Sequence, residues 1–141
     1  MRKIYISSDH AGYSLKEYIK IYLKKKNIKF YDLGPQNKNR VDYPVYAHKV
    51  AKKVKINNKN LGILVCGSGT GMCITANKHK NIRAAQCFSP KSTKLSRLHN
   101  DANIITLGSR LLSKKKACSF VSIFLNTKFE GGRHQKRIRR I

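Results

Sequence analysis

The chain has 141 residues and is 40% hydrophobic, enough for one domain with a core and too short for two ordinary ones. Its apolar runs are broken by Lys, Asn or Gly well before the ~18 residues a membrane helix needs, which predicts a cytoplasmic chain with no membrane partner. The formal charge of +25 invites a nucleic-acid reading, but the Lys and Arg are scattered over nearly every segment beside abundant Asn and Ile, the mark of compositional drift on solvated faces.

In chain order, Lys3 to Ser7 reads as a strand. Leu15, Tyr18, Ile19, Tyr22 and Leu23 then recur at i, i+3, i+4, i+7 and i+8, the stripe of a helix lying on a sheet. A second strand is predicted over Ile28 to Leu33. A helix follows from Tyr43-Pro44 to about Val54, with proline in its first turn. Leu61 to Val65 is a continuous apolar run, as expected of a central parallel strand buried on both faces. A helix from Gly71 to Lys78 comes next, then strands over Ile82 to Cys87 and Asn103 to Leu107 with a helix from Pro90 to about Leu98 between them. Ala117, Phe120, Val121, Phe124 and Leu125 repeat the helical stripe, and a basic segment, 129–141, ends the single domain 1–141. Five strands alternating with helices predict an α/β fold with a five-stranded parallel sheet covered on both sides.

Ligands of such sheets sit beyond the carboxyl ends of the strands, at a topological switch point. Asp9 and His10 follow the first strand, Cys66 and Ser68 the third, Ser109 and Arg110 the fifth. Cys66-Gly67-Ser68-Gly69-Thr70-Gly71 places glycine at every second position between a strand and a helix, so that backbone N–H groups can face an anion. It is neither the GxGxxG of dinucleotide folds nor a P-loop, since no Lys-Ser/Thr follows. A cysteine ahead of a helix start, among cations, has its thiolate favoured and can act as base or nucleophile. Cys73, Cys87 and Cys118 read as inert thiols, and the absence of any CxxC pair argues against disulfides and zinc.

Asp9 doubles as a possible helix cap, and His99, at the end of a helix, as a favourable cation. With the glycine loop, these clusters are expected to converge on one sheet edge, where a histidine suits proton transfer to and from a hydroxyl. Cys66, His10 and His99 lack compact metal-ligand spacing, so no metal is predicted. Arg133 and Arg137, at i and i+4, can grip one phosphate.

SSDHAG, the DYP of Asp42-Tyr43-Pro44, ILVCGSGTGM, ANKHKNIRAA, LSRLHNDANI, LGSR and EGGRHQKR together resemble the ribose-5-phosphate isomerase B family, within the wider group of allose-6-phosphate and galactose-6-phosphate isomerases. The resemblance implies a Rossmann-like three-layer α/β/α sandwich and cofactor-free interconversion of ribose 5-phosphate and ribulose 5-phosphate, a step of the non-oxidative pentose phosphate branch. By the resemblance, Cys66 moves the proton between C1 and C2, His99 opens the furanose ring and Asp9 beside it orders the hydroxyls. Gly67, Ser68, Gly69, Thr70 and Gly71 match the loop that holds the enediolate. Asn100 matches a sugar contact, and His10, Arg110, Arg133 and Arg137 match substrate- or phosphate-binding positions. It also implies a homodimer, or a tetramer, with the site between subunits. Two alternatives stand beside it: another sugar phosphate of the same group, allose 6-phosphate, and a basic nucleic-acid-binding protein built on the same fold.

Overall fold

A computed structural model describes residues 1–141. Its strands are β1 (Ile4–Ser8), β2 (Tyr31–Asp32), β3 (Leu61–Cys66), β4 (Ala84–Gln86) and β5 (Ile104–Gly108). Its helices are α1 (Tyr13–Lys25), α2 (Tyr43–Val54), α3 (Thr70–Ala76), α4 (Pro90–Asn100), α5 (Lys114–Asn126) and α6 (Arg133–Ile138). All pairings are parallel, in the order β2-β1-β3-β5-β4. The α/β expectation and the five strands hold.

The two edge strands are shorter than the sequence predicts. Ile28 to Leu33 yields only Tyr31–Asp32, and Ile82 to Cys87 only Ala84–Gln86. Each has a neighbour on one side only; Leu33 and Cys87 still donate to Ile6 O and Thr106 O of that neighbour, whereas Ile28 N–H goes to Leu23 O and Arg83 N–H to the Asn103 side chain.

Two apolar layers sandwich the sheet. On one face Ile6, Ile63, Val65, Ile105 and Leu107 pack against Leu15, Ile19 and Leu23 of α1 and against Ala117, Phe120, Val121 and Phe124 of α5. On the other, Tyr5, Leu64 and Ile104 meet Ala47, Val50, Ala51 and Val54 of α2 and Met72 and Ala76 of α3. From β1 the chain moves outward to β2 and then returns past β1 to β3, so the switch point lies between β1 and β3.

Candidate active site

The carboxyl ends of β1, β3 and β5 open onto a cavity of about 380 Å³. Asp9, His10 and Ala11 line it from β1, Cys66, Gly67, Ser68 and Gly71 from β3, and Arg110 and Leu111 from β5; Tyr43 at the start of α2 closes one side. Backbone bonds tie the three loops together. Asp9 N–H donates to Val65 O, Ser109 N–H to Cys66 O at 2.8 Å, and Arg110 N–H to Gly67 O at 3.0 Å. Ser109 Oγ–H donates to Ala11 O at 2.9 Å, so the Ser109 side chain is a brace between loops.

Cys66 is buried, 4% exposed, and its Sγ accepts the N–H of Gly69 at 3.1 Å. The loop turns sharply enough for this because Gly69 has φ +81°, a left-handed conformation costly to other residues. The Thr70 amide is likewise taken, by Ser68 Oγ at 3.2 Å, and the Thr70 hydroxyl turns away to Gln86. Gly67, Ser68 and Gly71 keep amide N–H groups with no acceptor in the chain, so they, rather than the whole loop, are the donors available to an oxyanion.

Side chains complete the pocket. One oxygen of Asp9, Oδ1, accepts the Gly12 N–H at 2.9 Å and fixes the entry to α1; Oδ2 accepts nothing. Asp9 therefore holds the helix start and still offers an oxygen to a ligand. His10 Nδ1 rests on the Val41 backbone, 3.1 Å from its carbonyl and 3.2 Å from its amide nitrogen, leaving Nε2 unengaged. The Arg110 guanidinium covers Gly67, where an added Cβ would lie 2.8 Å from Nη1. A larger groove of about 440 Å³ between α1 and α5 holds one thiol, Cys118, and burial pushes that thiol up. It contains no acid, base or oxyanion donor set like that around Cys66. Burial likewise raises Cys73 and Cys87, in keeping with their reading as inert.

The expected convergence of all clusters on one sheet edge does not occur within a chain. Because β4 and β5 are parallel, α4 must run back against them, and it delivers His99 and Asn100 to the amino edge, opposite Cys66. The Asn100 carbonyl accepts Arg83 Nε–H just ahead of β4, and α6, with exposed Arg133 and Arg137, packs on the end of α4. Asp9 is therefore not beside His99 in the same chain.

Three residues carry features that the sequence reading left without a role. Tyr43 lays its ring against Gly71, and its place in the DYP segment was the one available signal. His134 stacks on His99 with centroids 4.2 Å apart, and Glu130 lies near both. The i, i+4 spacing of Glu130 and His134 was visible, but it has no meaning until His99 is placed between α4 and α6.

Residues 4–141 match the family described as Ribose/Galactose Isomerase. A probable ribose-5-phosphate isomerase B of Mycoplasma genitalium is 46% identical over 98% of this chain and 92% of its own length. The ribose-5-phosphate isomerase B of Escherichia coli is 42% identical over 100% and 95%. Among solved structures, the ribose 5-phosphate isomerase of Thermotoga maritima superposes with a TM-score of 0.95 at 48% identity, covering 98% of this chain and 95% of its own. The Mycoplasma genitalium enzyme with bound ribulose-5-phosphate gives a TM-score of 0.95 at 45% identity, covering 99% and 93%. With nearly the whole chain matched in sequence and in fold, this protein belongs to the ribose/galactose isomerase family.

Proposed function

We propose that the chain is a cofactor-free aldose–ketose isomerase interconverting ribose 5-phosphate and ribulose 5-phosphate, with Cys66 as the proton carrier. The observation that carries this reading is the buried Cys66 sulfur, held by the Gly69 amide in a cavity that also offers free amides and a guanidinium. The relative that holds ribulose 5-phosphate supports the choice of sugar.

In the open-chain aldose the Cys66 thiolate takes the proton from C2. The electron pair of that C–H bond becomes the C1–C2 double bond, and the carbonyl oxygen on C1 takes up the negative charge. Free N–H groups of Gly67, Ser68 and Gly71 stabilise this cis-enediolate, each donor contributing on the order of 10²–10³ in rate. Transfer of the C2 hydroxyl proton to the C1 oxygen, with return of the proton from Cys66 to C1, gives the ketose and restores the thiolate. No electrons leave the substrate, so no redox partner is required. Asp9 Oδ2 and His10 contact the sugar, and Arg110 faces its anionic end.

Ring opening falls to His99, a further sugar contact to Asn100, and the rest of the phosphate grip to Arg133 and Arg137. Their place at the opposite sheet edge supports a homodimer in which His99 of the partner subunit reaches the Cys66 cavity. Tyr43 and Leu111, exposed at 40% and 58% where they line that cavity, give a second copy apolar surface to cover.

A coupled assay with ribose 5-phosphate, run beside allose 6-phosphate, tests the assignment. Wild-type protein is expected to prefer the five-carbon substrate, and Cys66→Ala to lose turnover and solvent exchange at C2 while still binding. Near-normal turnover by Cys66→Ala would remove the thiol from the mechanism; a higher kcat/KM for allose 6-phosphate would reassign the sugar.

A further inference from the structure

The amide that holds Cys66 Sγ belongs to a peptide group whose other end is gripped from outside the loop. Ser68 C=O and Gly69 N–H are parts of one planar unit and point in opposite directions, so the direction of the carbonyl sets that of the N–H. The N–H reaches Cys66 Sγ at 3.1 Å. The carbonyl accepts no backbone N–H; its partner is the side chain of Gln86, the last residue of β4, whose Nε2 donates to Ser68 O at 2.7 Å. A carbonyl oxygen only accepts, so the Gln86 atom facing it is the amide nitrogen, which also donates to Thr70 Oγ1 at 3.0 Å. Gln86 therefore grips the loop on both sides of Gly69.

We propose that Gln86 is a positioning residue for the isomerisation, acting on Cys66 through the Ser68–Gly69 peptide. It does not line the cavity, and β4 does not need its side chain to stay in the sheet, since the backbone of Ala84–Gln86 pairs with Ile104–Thr106. What the side chain does is fix one carbonyl. The seat for that carbonyl is the end of β5: Ser68 O lies so close over Gly108 that an added Cβ would stand 2.6 Å from it. Bounded by Gly108 and bonded to Gln86, the peptide has one orientation, and in it the N–H meets the sulfur. A hydrogen bond at the carbonyl also polarises the amide and makes its N–H a stronger donor. The inference rests on the reading of Cys66 as the proton carrier, for which the direction of the sulfur toward C1 and C2 is decisive.

Gln86→Met keeps the length of the side chain and removes the donor; Gln86→Glu keeps its shape and sets a carboxylate oxygen against Ser68 O. Assayed with ribose 5-phosphate, Gln86→Met is expected to lower kcat at least about fivefold with KM held within about twofold, and Gln86→Glu to lower kcat further. Gly108→Ala presses on the same carbonyl from the strand and is expected to lower kcat as well. The double variant Gln86→Met/Gly108→Ala should then lose less than the product of the two single losses, because both displace one peptide. A side chain that merely ties the loop to the sheet would lower Tm and leave the kcat of the folded enzyme unchanged. Wild-type kcat in folded Gln86→Met or Gln86→Glu, or single losses that multiply in the double variant, overturns the proposal. If Gly108→Ala does not fold, the kcat and KM of the two Gln86 variants decide. Cys66→Ala is assayed alongside. If it is inactive while Gln86→Met turns over normally, only the role of Gln86 falls; if it keeps turnover, the proton-carrier reading and the role of Gln86 fall together.

Discussion

The amide of Gly69 donates to the sulfur of Cys66 across 3.1 Å, and this one bond joins the turn that shapes the loop to the atom proposed to carry the proton. The bond fixes where the sulfur points and holds a backbone donor against it. Gly69→Ala puts a Cβ 3.0 Å from the Leu107 carbonyl carbon at φ +81°. The strain, about 1–2 kcal/mol from the left-handed backbone alone, is expected to swing the amide off the sulfur. The variant should lose at least about tenfold in kcat with a smaller change in KM, and Cys66 should react more slowly with iodoacetamide at neutral pH. Unchanged alkylation kinetics, read by mass spectrometry, would detach the bond from the chemistry.

Arg110 presents a different signature. Its guanidinium lies over Gly67 at the cavity, and its amide pins that loop through Gly67 O. A substitution that spares the backbone removes only the charge. Arg110→Ala is expected to raise KM for ribose 5-phosphate by about ten- to a hundredfold, with kcat changed less, because the phosphate contact is the same in ground and transition states. Arg110→Lys should recover part of the loss and not all of it, since an ammonium lacks the planar fork. A fall in kcat at constant KM would show the residue acting on the reacting carbons instead.

The separation of Cys66 from His99 across the sheet makes subunit sharing measurable. Cys66→Ala and His99→Ala homodimers each lack one essential group in both sites. In a heterodimer one site receives both lesions and the other neither. Mixing the two inactive proteins after denaturation and refolding should therefore restore about one quarter of wild-type activity, half of the dimers being mixed and half of their sites intact. Two inactive proteins that stay inactive when mixed, despite verified exchange of subunits, would mean that the site does not draw on two chains.

Much of this was legible before the fold was seen. Cys66 ends a strand and Asp9 and Arg110 follow one, and the position of a residue in a βα unit fixes which sheet edge it reaches. His99 was misplaced because it was judged by residue type and by helix end, whereas direction decides: a helix between parallel strands carries its last turn to the far edge. The division of labour inside the glycine loop was also hidden. Which amides are spent internally, on Cys66 Sγ and Ser68 Oγ, depends on the φ of Gly69 and not on the spacing of glycines. The pairing of Lys16 with Asp32 was unreadable for another reason, since periodicity puts Lys16 beside Leu15 without saying that its ammonium is enclosed.

That enclosed pair predicts a specific fragility. Lys16 has no exposed side chain, and its Nζ donates to Asp32 Oδ1 at 2.9 Å and to Pro35 O at 2.6 Å; Lys20 donates to the other Asp32 oxygen at 2.6 Å. Burial alone would raise the Asp32 carboxyl, but hydrogen bonds from Lys20, Lys16 and the Gly34 amide outweigh it and hold the group below its ordinary 3.8. A carboxyl depressed in the folded state lends stability above the unfolded value and loses it as pH falls through the folded value. Asp32→Asn leaves the buried Lys16 ammonium only the more distant carboxylate of Glu17, 3.5 Å away, and should destabilise by about 3 kcal/mol at pH 7. Urea denaturation should show this deficit shrinking as pH falls below about 4, where the unfolded wild-type chain takes up the proton at Asp32 before the folded chain does. Lys16→Met, which keeps Lys20 on Asp32, should cost much less; equal losses in the two variants would contradict this account.

A second pair sets the opposite end of the acid response. His48 Nδ1 and His79 Nε2 lie 2.7 Å apart, bridging α2 and the turn after α3, so between them they hold one proton and not two. Burial first, then His48 and the charges of Lys55 and Lys52, push His79 below its ordinary 6.5. The sign is the same as for the carboxylate, because both groups are depressed in the folded state, and only the pH window moves up. As pH falls below 6.5 the unfolded chain binds the proton before the folded chain does, so stability declines from there down to the folded value and stays reduced below it. His79→Gln removes that proton uptake along with the bond. The variant should melt below wild type at pH 8, where the bond is intact, and the gap should narrow or invert by pH 5. Thermal melts across that interval decide the matter: a difference in Tm that is constant with pH would mean that the contact stabilises by packing alone.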